Sequence, residues 1–486
     1  MILSKPHDSL FRKGLFLVFA FFITILTHAQ VGIGTITPDP SSVFDVTSTS
    51  KGLLTPRMTT AQRVAISSPA EGLLVFDTDL DAFFFYDTKT STWKKLLSDK
   101  LERDNYVLVK SQADLPTPSG GIITLDENTY YEINGTIALT NSINLNNAYI
   151  SGVDAGEDIL SSSGTVFVGN MGGSIRNITI TGGGTAFNVT GGTSLLLQNT
   201  IIDGMNSVGT IAGVGLYFSN IVQYVNNTNG VTYNNIGNLL LSNQGWFSSN
   251  AGTYERFTGT FALIQKVSGF STVNGAAIGV DVSGNPTVGN GVIFGSAFSG
   301  TSTQYVKRYT TGSFPGYNFT NAWTVNCPGI PRESDDVAAG NLYYNGTITT
   351  GFVQSVTNNN EFNLTGNSGS NSTTAVNLFR VTSPQNNRIT YTGKKTRTFQ
   401  FNAAISVRGN SGTGDYYAFF IKKNGITTLT ETNTIFRVNN TADISSNSIS
   451  GTVELAPNEY IEIWGQRLLG SGTTSITVFS LNLSIK

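Results

Sequence analysis

Histidine, cysteine and charge are scarce in this sequence, and each shortage removes a class of function. Only two of the 486 residues are histidines, His7 and His28, and both fall in a stretch that reads as a removable leader. The mature chain would then hold no imidazole for an acid–base relay, for activating a nucleophile or for binding a metal. The single cysteine, Cys327, has no partner for an internal disulfide and cannot build a thiolate cage. It also lies far from the expected cleavage point, so lipid attachment to a new N-terminal cysteine is excluded. Charged residues make up 12% of the chain, 29 basic against 31 acidic, which leaves no basic face for nucleic acid. No cofactor and no metal are expected.

What is present points outward from the cell. Lys5, Arg12 and Lys13 precede the apolar run "LFLVFAFFITIL" from Leu15 to Leu26, and small residues follow at Thr27 and Ala29. That is the pattern of a signal peptide over 1–29, shorter than the roughly 20 apolar residues of a membrane span. The rest of the chain has no run that could span a bilayer, so no membrane insertion is expected. The expected location is secreted, or on the surface of a Gram-negative cell. A hydrophobic content of 39% with 11% aromatics supplies enough apolar area for packed cores, and the length calls for several units.

A repeat organises the middle. "RNITI" at Asn177, "QNTII" at Asn199, "SNIVQ" at Asn220 and "GNLLL" at Asn238 each set an Asn before a short apolar strand, 22, 21 and 18 residues apart. Glycine-opened strands fall between them: "GTVFVG", "GTAFNV", "GVGLYFS" and "GVTYNN". A period near 20 with two or three short strands is the signature of stacked β-coils. Ile178, Ile180 and Ile201 are expected to stack inward. Asn177, Asn199, Asn220 and Asn238 are expected to form a structural ladder, because Asn tolerates the left-handed conformation and its amide bonds to neighbouring turns. With the stretch Gly120–Val153 before it, this region resembles pectate-lyase-like right-handed parallel β-helices, including bacteriophage tailspikes.

The last part has another period. In "TRTFQFNAAISVRG", Phe399, Phe401, Ala403, Ile405 and Val407 alternate with polar residues, and an Asn424-Gly425 hairpin turn follows "DYYAFFIKK". The strand order through "GTVELAPNEYIEIW" and "TVFSLNLSIK" resembles jelly rolls of the tumour-necrosis-factor type, including complement-like globular heads, and that resemblance implies a homotrimer. Tyr416, Ala418 and Phe420 oppose Tyr417, Phe419 and Ile421, so both faces of one strand are apolar. Another subunit, or a loop of the same chain, is expected to cover the second face.

Near the start, "VGIGT", "KGLLTPRMTTAQRVAI", "GLLVFDTD" and "FFFYD" resemble a segment found behind the leader in secreted surface and fibre-like proteins of Bacteroidetes type. The expected plan is all-β: a signal peptide at 1–29; an attachment segment at 30–100 with short strands and one helical turn; a right-handed parallel β-helix at 101–255; an irregular β region at 256–350, either further coils or a separate module; and an antiparallel jelly-roll sandwich at 351–486.

Without His, catalysis would fall to carboxylates. Glycan-hydrolysing β-helices pair Asp or Glu about 5–9.5 Å apart. The candidates are Asp154, Glu157 and Asp158 in "GVDAGEDIL", Asp203 in "IIDG", and Asp335 with Asp336 in "RESDDV"; a solvated loop is the plainer role for the first cluster, and turn usage before Gly204 for Asp203. The stretch "TGKKT" lacks the upstream glycine of a phosphate loop. Tyr217, Tyr233 and Trp246 are candidates for stacking on sugar rings, with burial in the coils as the alternative. The reading is a secreted, adhesive, fibre-like homotrimer that recognises a glycan or a cell surface without catalysis. Two alternatives stay open: a tailspike-type polysaccharide lyase or glycoside hydrolase, and a prophage-derived tail fibre, which the leader disfavours.

Overall fold

The computed structural model describes residues 30–96, 105–368 and 370–486. The leader at 1–29 lies outside the described residues. The chain divides into two compact units, one ending at Asp104 and one running Asn105–Lys486.

In the first unit, Val31–Ile33 pairs in parallel with Phe44–Val46. A four-stranded sheet follows, made of Arg57–Met58, Leu74–Asp77, Ala82–Asp87 and Thr92–Lys95. The short helix Thr60–Val64 starts on a capping box, in which the Thr59 hydroxyl accepts from Gln62 N and the Gln62 side chain accepts from Thr59 N. Arg63 then reaches the buried Asp77 at 2.8 Å and lies over the Phe84 ring, pinning helix to sheet. The core is small, with Val75, Ala82 and Phe84 at its centre.

The second unit opens with a parallel β-solenoid of three faces. On the first face, strands from Tyr106–Val109 through Gly173–Arg176 to Trp323–Asn326 pair rung upon rung. The second face begins with Thr136–Ala138, Ile159–Ser161 and Thr179–Thr181, and is continued by the C-terminal halves of long strands such as Gly192–Asp203. The third face is a separate sheet from Ile122–Thr124 to Val306–Lys307. Three of the four Asn-led segments, those after Asn177, Asn199 and Asn220, lie side by side on the second face, whereas the fourth, after Asn238, lies on the first face. The region 256–350, left open by the sequence, divides in two: coils continue to Asn326, and from Ala339 the strands belong to the terminal sandwich.

Inward columns fill the coils. One runs Ile137, Leu160, Ile180, Ile202, Tyr224, Trp246 along the second face, all buried. Each such side chain contributes about 1.5–3 kcal/mol by leaving water. Ile178 and Ile180 are inside as expected, but Ile201 is not. It pairs with Thr179 and is only half-buried, while Ile202 takes the inward place. A shift of one residue exchanges the two faces of a strand.

The sandwich packs two antiparallel sheets. One holds Ala339–Asn345, Thr473–Ile485, Arg397–Gly409 and Ser445–Leu455; the other holds Ile389–Tyr391, Tyr460–Leu469, Tyr416–Lys423 and Thr427–Arg437. Several connections cross from one sheet to the other, while Tyr416–Lys423 and Thr427–Arg437 form a hairpin within one sheet. Phe399, Phe401, Ala403, Ile405 and Val407 all point into the core. The hairpin turn has φ of 55° at Asn424 and 66° at Gly425, the positive pair that matches strand twist. The second face of Tyr416–Lys423 needs less covering than expected. Ala418 and Phe420 are already buried within the chain, and Lys422 lies over Trp464, leaving Tyr416 and Ile435 open.

Candidate functional site

The carboxylate candidates serve the coils. Asp158 is buried at a corner, where its carboxylate accepts from the backbone N–H of Val153 at 2.7 Å, Gly135 at 2.8 Å and Asp154 at 3.0 Å. Burial works against its charge, yet these three donors hold its carboxyl below the usual range. Asp154 accepts from Gly156 N at 2.8 Å in a local turn, and Glu157 is exposed on the same loop. Asp203 stands on another coil and accepts from the Asn226 side chain at 2.9 Å. Asp154, Glu157 and Asp158 thus share one loop, and Asp203 stands on another coil.

Tyr217, Tyr233 and Trp246 line the interior, each at most 1% exposed. Tyr217 packs on Tyr233 with ring centroids 5.5 Å apart, and Trp246 stacks on Tyr254 at 4.4 Å. No ring face is open to a sugar, so these positions are core, because their places in the pleat point inward.

The asparagine ladder exists with different members. Asn199 donates to Asn177 Oδ1 at 3.1 Å, and both adopt positive φ. By register the corner continues through Ile221, Asn243 and Ser268, with φ of 54°, 50° and 62°. Asn220 sits one residue earlier and accepts from Asn243 at 2.9 Å. Asn238 pairs with Leu216 on the first face and takes no part in the corner. A second, buried ladder escaped the sequence reading: the Asn250 side chain accepts from Asn227 N at 2.8 Å and donates to Tyr224 O and Phe247 O.

The coil interior also holds charge. Lys266 on the first face meets Glu255 on the third at 2.9 Å, both about 1% exposed or less, and Lys266 lies 4.7 Å above the Tyr254 ring. Burial pushes the Glu255 carboxyl up even against that ammonium. Cys327 lies within the same core, where burial pushes its thiol up to about 11 despite nearby Lys266. That thiol is therefore protonated and unreactive at neutral pH.

An open cleft lies where the last coils meet the sandwich. Its volume is about 400 Å³, and it is lined by Phe294, Asn326, Arg332, Asp336, Lys395 and Arg397 among others. Phe294 ends a first-face strand and is 57% exposed, with Asn326 on the next rung. The "TGKKT" stretch is no phosphate loop, but it carries Lys394 and Lys395 into this junction. Lys394 Nζ donates to Ala322 O at 3.0 Å, while its backbone N–H and that of Lys395 donate to Asp335 Oδ2 at 2.9 and 3.1 Å. The buried Arg380 binds the Asp335 carboxylate and the carbonyl of Trp323, tying sandwich to solenoid. Glu333, also buried, accepts from Asn318 N and Phe319 N at 2.7 and 2.8 Å. With Asp335 held by Arg380 and Asp336 by Arg332, Lys395 and Arg397 give the cleft a cationic balance beside one open aromatic ring. No sequence signal joins these residues, since they come from two sheets and a connecting loop.

Among the described residues no group of three or more His, Cys, Asp or Glu is placed to hold a metal ion, and no helix is long and apolar enough to cross a membrane.

Fold and cleft together define a solenoid-and-sandwich protein with an open, polar, aromatic-bearing site. Residues 32–112 match the model of a phage tail-like trimerisation region, so the stretch read as an attachment segment is similar to a region that assembles trimers. No curated protein matches the chain. Among solved structures it is similar to the Acinetobacter baumannii phage AM24 tailspike protein, at 11% identity over 86% of this chain and 91% of that one, TM-score 0.22. It is also similar to the enzymatically active domain of bacteriophage CBA120 tailspike protein 4, at 12% identity over 89% and 77%, TM-score 0.19. The PRD1 vertex protein P5 is similar at 18% identity over 31% of this chain and 96% of that chain, TM-score 0.20.

Proposed function

We propose that this chain forms a homotrimeric fibre or spike of phage-tail type that recognises a surface glycan without cleaving it. The observation that carries the reading is the match at 32–112 to a trimerisation region, running directly into the first solenoid strand at Tyr106–Val109. This is the tail-fibre alternative, which the sequence placed behind a secreted adhesin. The leader at 1–29 favours a second form of the same reading, in which the fibre is exported to the cell surface.

Recognition is assigned to the junction cleft. Phe294 offers a ring face for stacking, and Lys395, Arg397 and Asn326 offer donors to an acidic sugar. The engagement of Asp158, Asp203, Asp335 and Asp336 in local bonds supports binding over hydrolysis. A glycan array probed with the full chain tests this: binding to uronic- or sialic-acid glycans is expected, and Phe294→Ala should weaken it about tenfold or more. Release of reducing or unsaturated ends from a bound glycan would replace the reading with an enzymatic one. N-terminal sequencing of the protein recovered from outside the cell tests export.

A further inference from the structure

The outer side of the first solenoid face carries a central column that is mostly apolar where a solvated sheet should be polar. Register aligns one outward column as Tyr106, Tyr130, Tyr149, Ser174, Leu196, Phe218, Leu240, Gln265 and Val292. Beside it the columns are mixed, with Leu216 and Leu263 alternating with Ser194, Asn238 and Asn290 on one edge, and Val267 and Phe294 following Gln198, Asn220 and Ser242 on the other. From Leu196 onward the residues of the central column are half-buried in the single chain, while Tyr106 and Tyr149 are exposed. The matching outward column of the third face reads Asn188, Thr210, Thr232, Arg256, Asp281 and Lys307, with Asp281 ion-paired to both cations. The central column is therefore dressed for water on the third face and mostly apolar on the first.

We infer that the outward side of the first face is the contact through which a second and third copy of this chain pack along the shaft. The inference rests on the trimeric reading above. Two observations select another copy as the occupant. The column begins at Tyr106, inside the stretch 32–112 that matches the trimerisation region, so the match reaches the first outward residue of the column. It also runs straight along the solenoid for nine rungs, roughly 40 Å at the usual strand spacing, which suits an equally straight neighbour in parallel. The apolar column stops before the last rung, whose outward Thr324 and Asn326 belong to the cleft.

Cysteine labelling of the full chain tests the assignment, because Cys327 is buried. Leu240→Cys and Thr232→Cys place thiols at equivalent outward positions on the first and third faces. In the trimer, maleimide should label Leu240→Cys more slowly than Thr232→Cys by about tenfold or more, since an interface core excludes solvent. On dilution to a concentration where sedimentation shows monomer, the two rates should converge. Equal rates in a trimeric protein would overturn this face and leave the trimer standing, and protection that survives in the monomer would mean that another occupant covers it. A wild-type chain that is monomeric at all concentrations would overturn both.

Discussion

Asn199 donates its side-chain amide to the side-chain oxygen of Asn177 one coil below, 3.1 Å away, and both residues hold the left-handed conformation. The next corner position is Ile221, which takes the same conformation at φ 54° with a β-branched side chain that is 48% exposed. A β-branched residue there is strained, by roughly 1–2 kcal/mol relative to its preferred regions.

Replacing Ile221 with Asn should therefore stabilise the solenoid by about 1 kcal/mol, because the strain is relieved and little burial is lost. Asn199→Ala should cost about 1–2 kcal/mol, from the lost bond and the left-handed backbone. Urea unfolding midpoints of the two variants should move in opposite directions.

The buried ladder should matter more than the exposed one. Asn250→Ala removes an acceptor for Asn227 and a donor for two carbonyls inside the core, at a cost of about 2–4 kcal/mol. Asn238→Ala, at an exposed position outside the corner, should stay within about 0.5 kcal/mol. Thermal unfolding followed by circular dichroism distinguishes the two.

The Lys266 and Glu255 pair predicts strong coupling. Lys266→Met leaves a buried carboxylate without its partner and should cost about 3–5 kcal/mol. Adding Glu255→Gln should recover most of that loss. A double-mutant cycle with additive losses would contradict the pairing.

Acid should loosen the corner at Asp158. Its native carboxyl is held below the ordinary value, so the unfolded chain takes up the proton first as pH falls. The contribution is complete above about pH 4, the ordinary range for Asp, and is lost as pH drops through the native value. Asp158→Asn should flatten this part of the stability profile in pH-dependent unfolding.

Much of the architecture was legible because it is repetitive. Phe399 to Val407 alternate without a break, and the Asn424-Gly425 turn needs positive φ at both residues, so strand and hairpin could be read locally. The corner could not be followed past Asn199. Once neighbouring coils pair, their register imposes the left-handed turn on whatever residue arrives, so Ile221 and Ser268 occupy it and the Asn signal vanishes. Asn220 and Asn238 looked equivalent only because each precedes apolar residues. The coils beyond residue 256 were hidden by their longer connections, which blurred the period although the strand pairing is regular.

The junction cleft and the buried ion pair had no local signature. Glu255 and Lys266 stand 11 residues apart on different faces, and Phe294, Arg332 and Arg397 meet only where two sheet systems abut.

The sequence by itself determined that the chain is a β-solenoid followed by a two-sheet sandwich, since periods of about 20 and of two residues are properties of the chain that any correct fold must satisfy. Tertiary structure alone decided the register of each coil, and with it which corner residues stack and which surface stays apolar. A one-residue change in pairing reverses the faces, and pairing is fixed by neighbours a whole coil away.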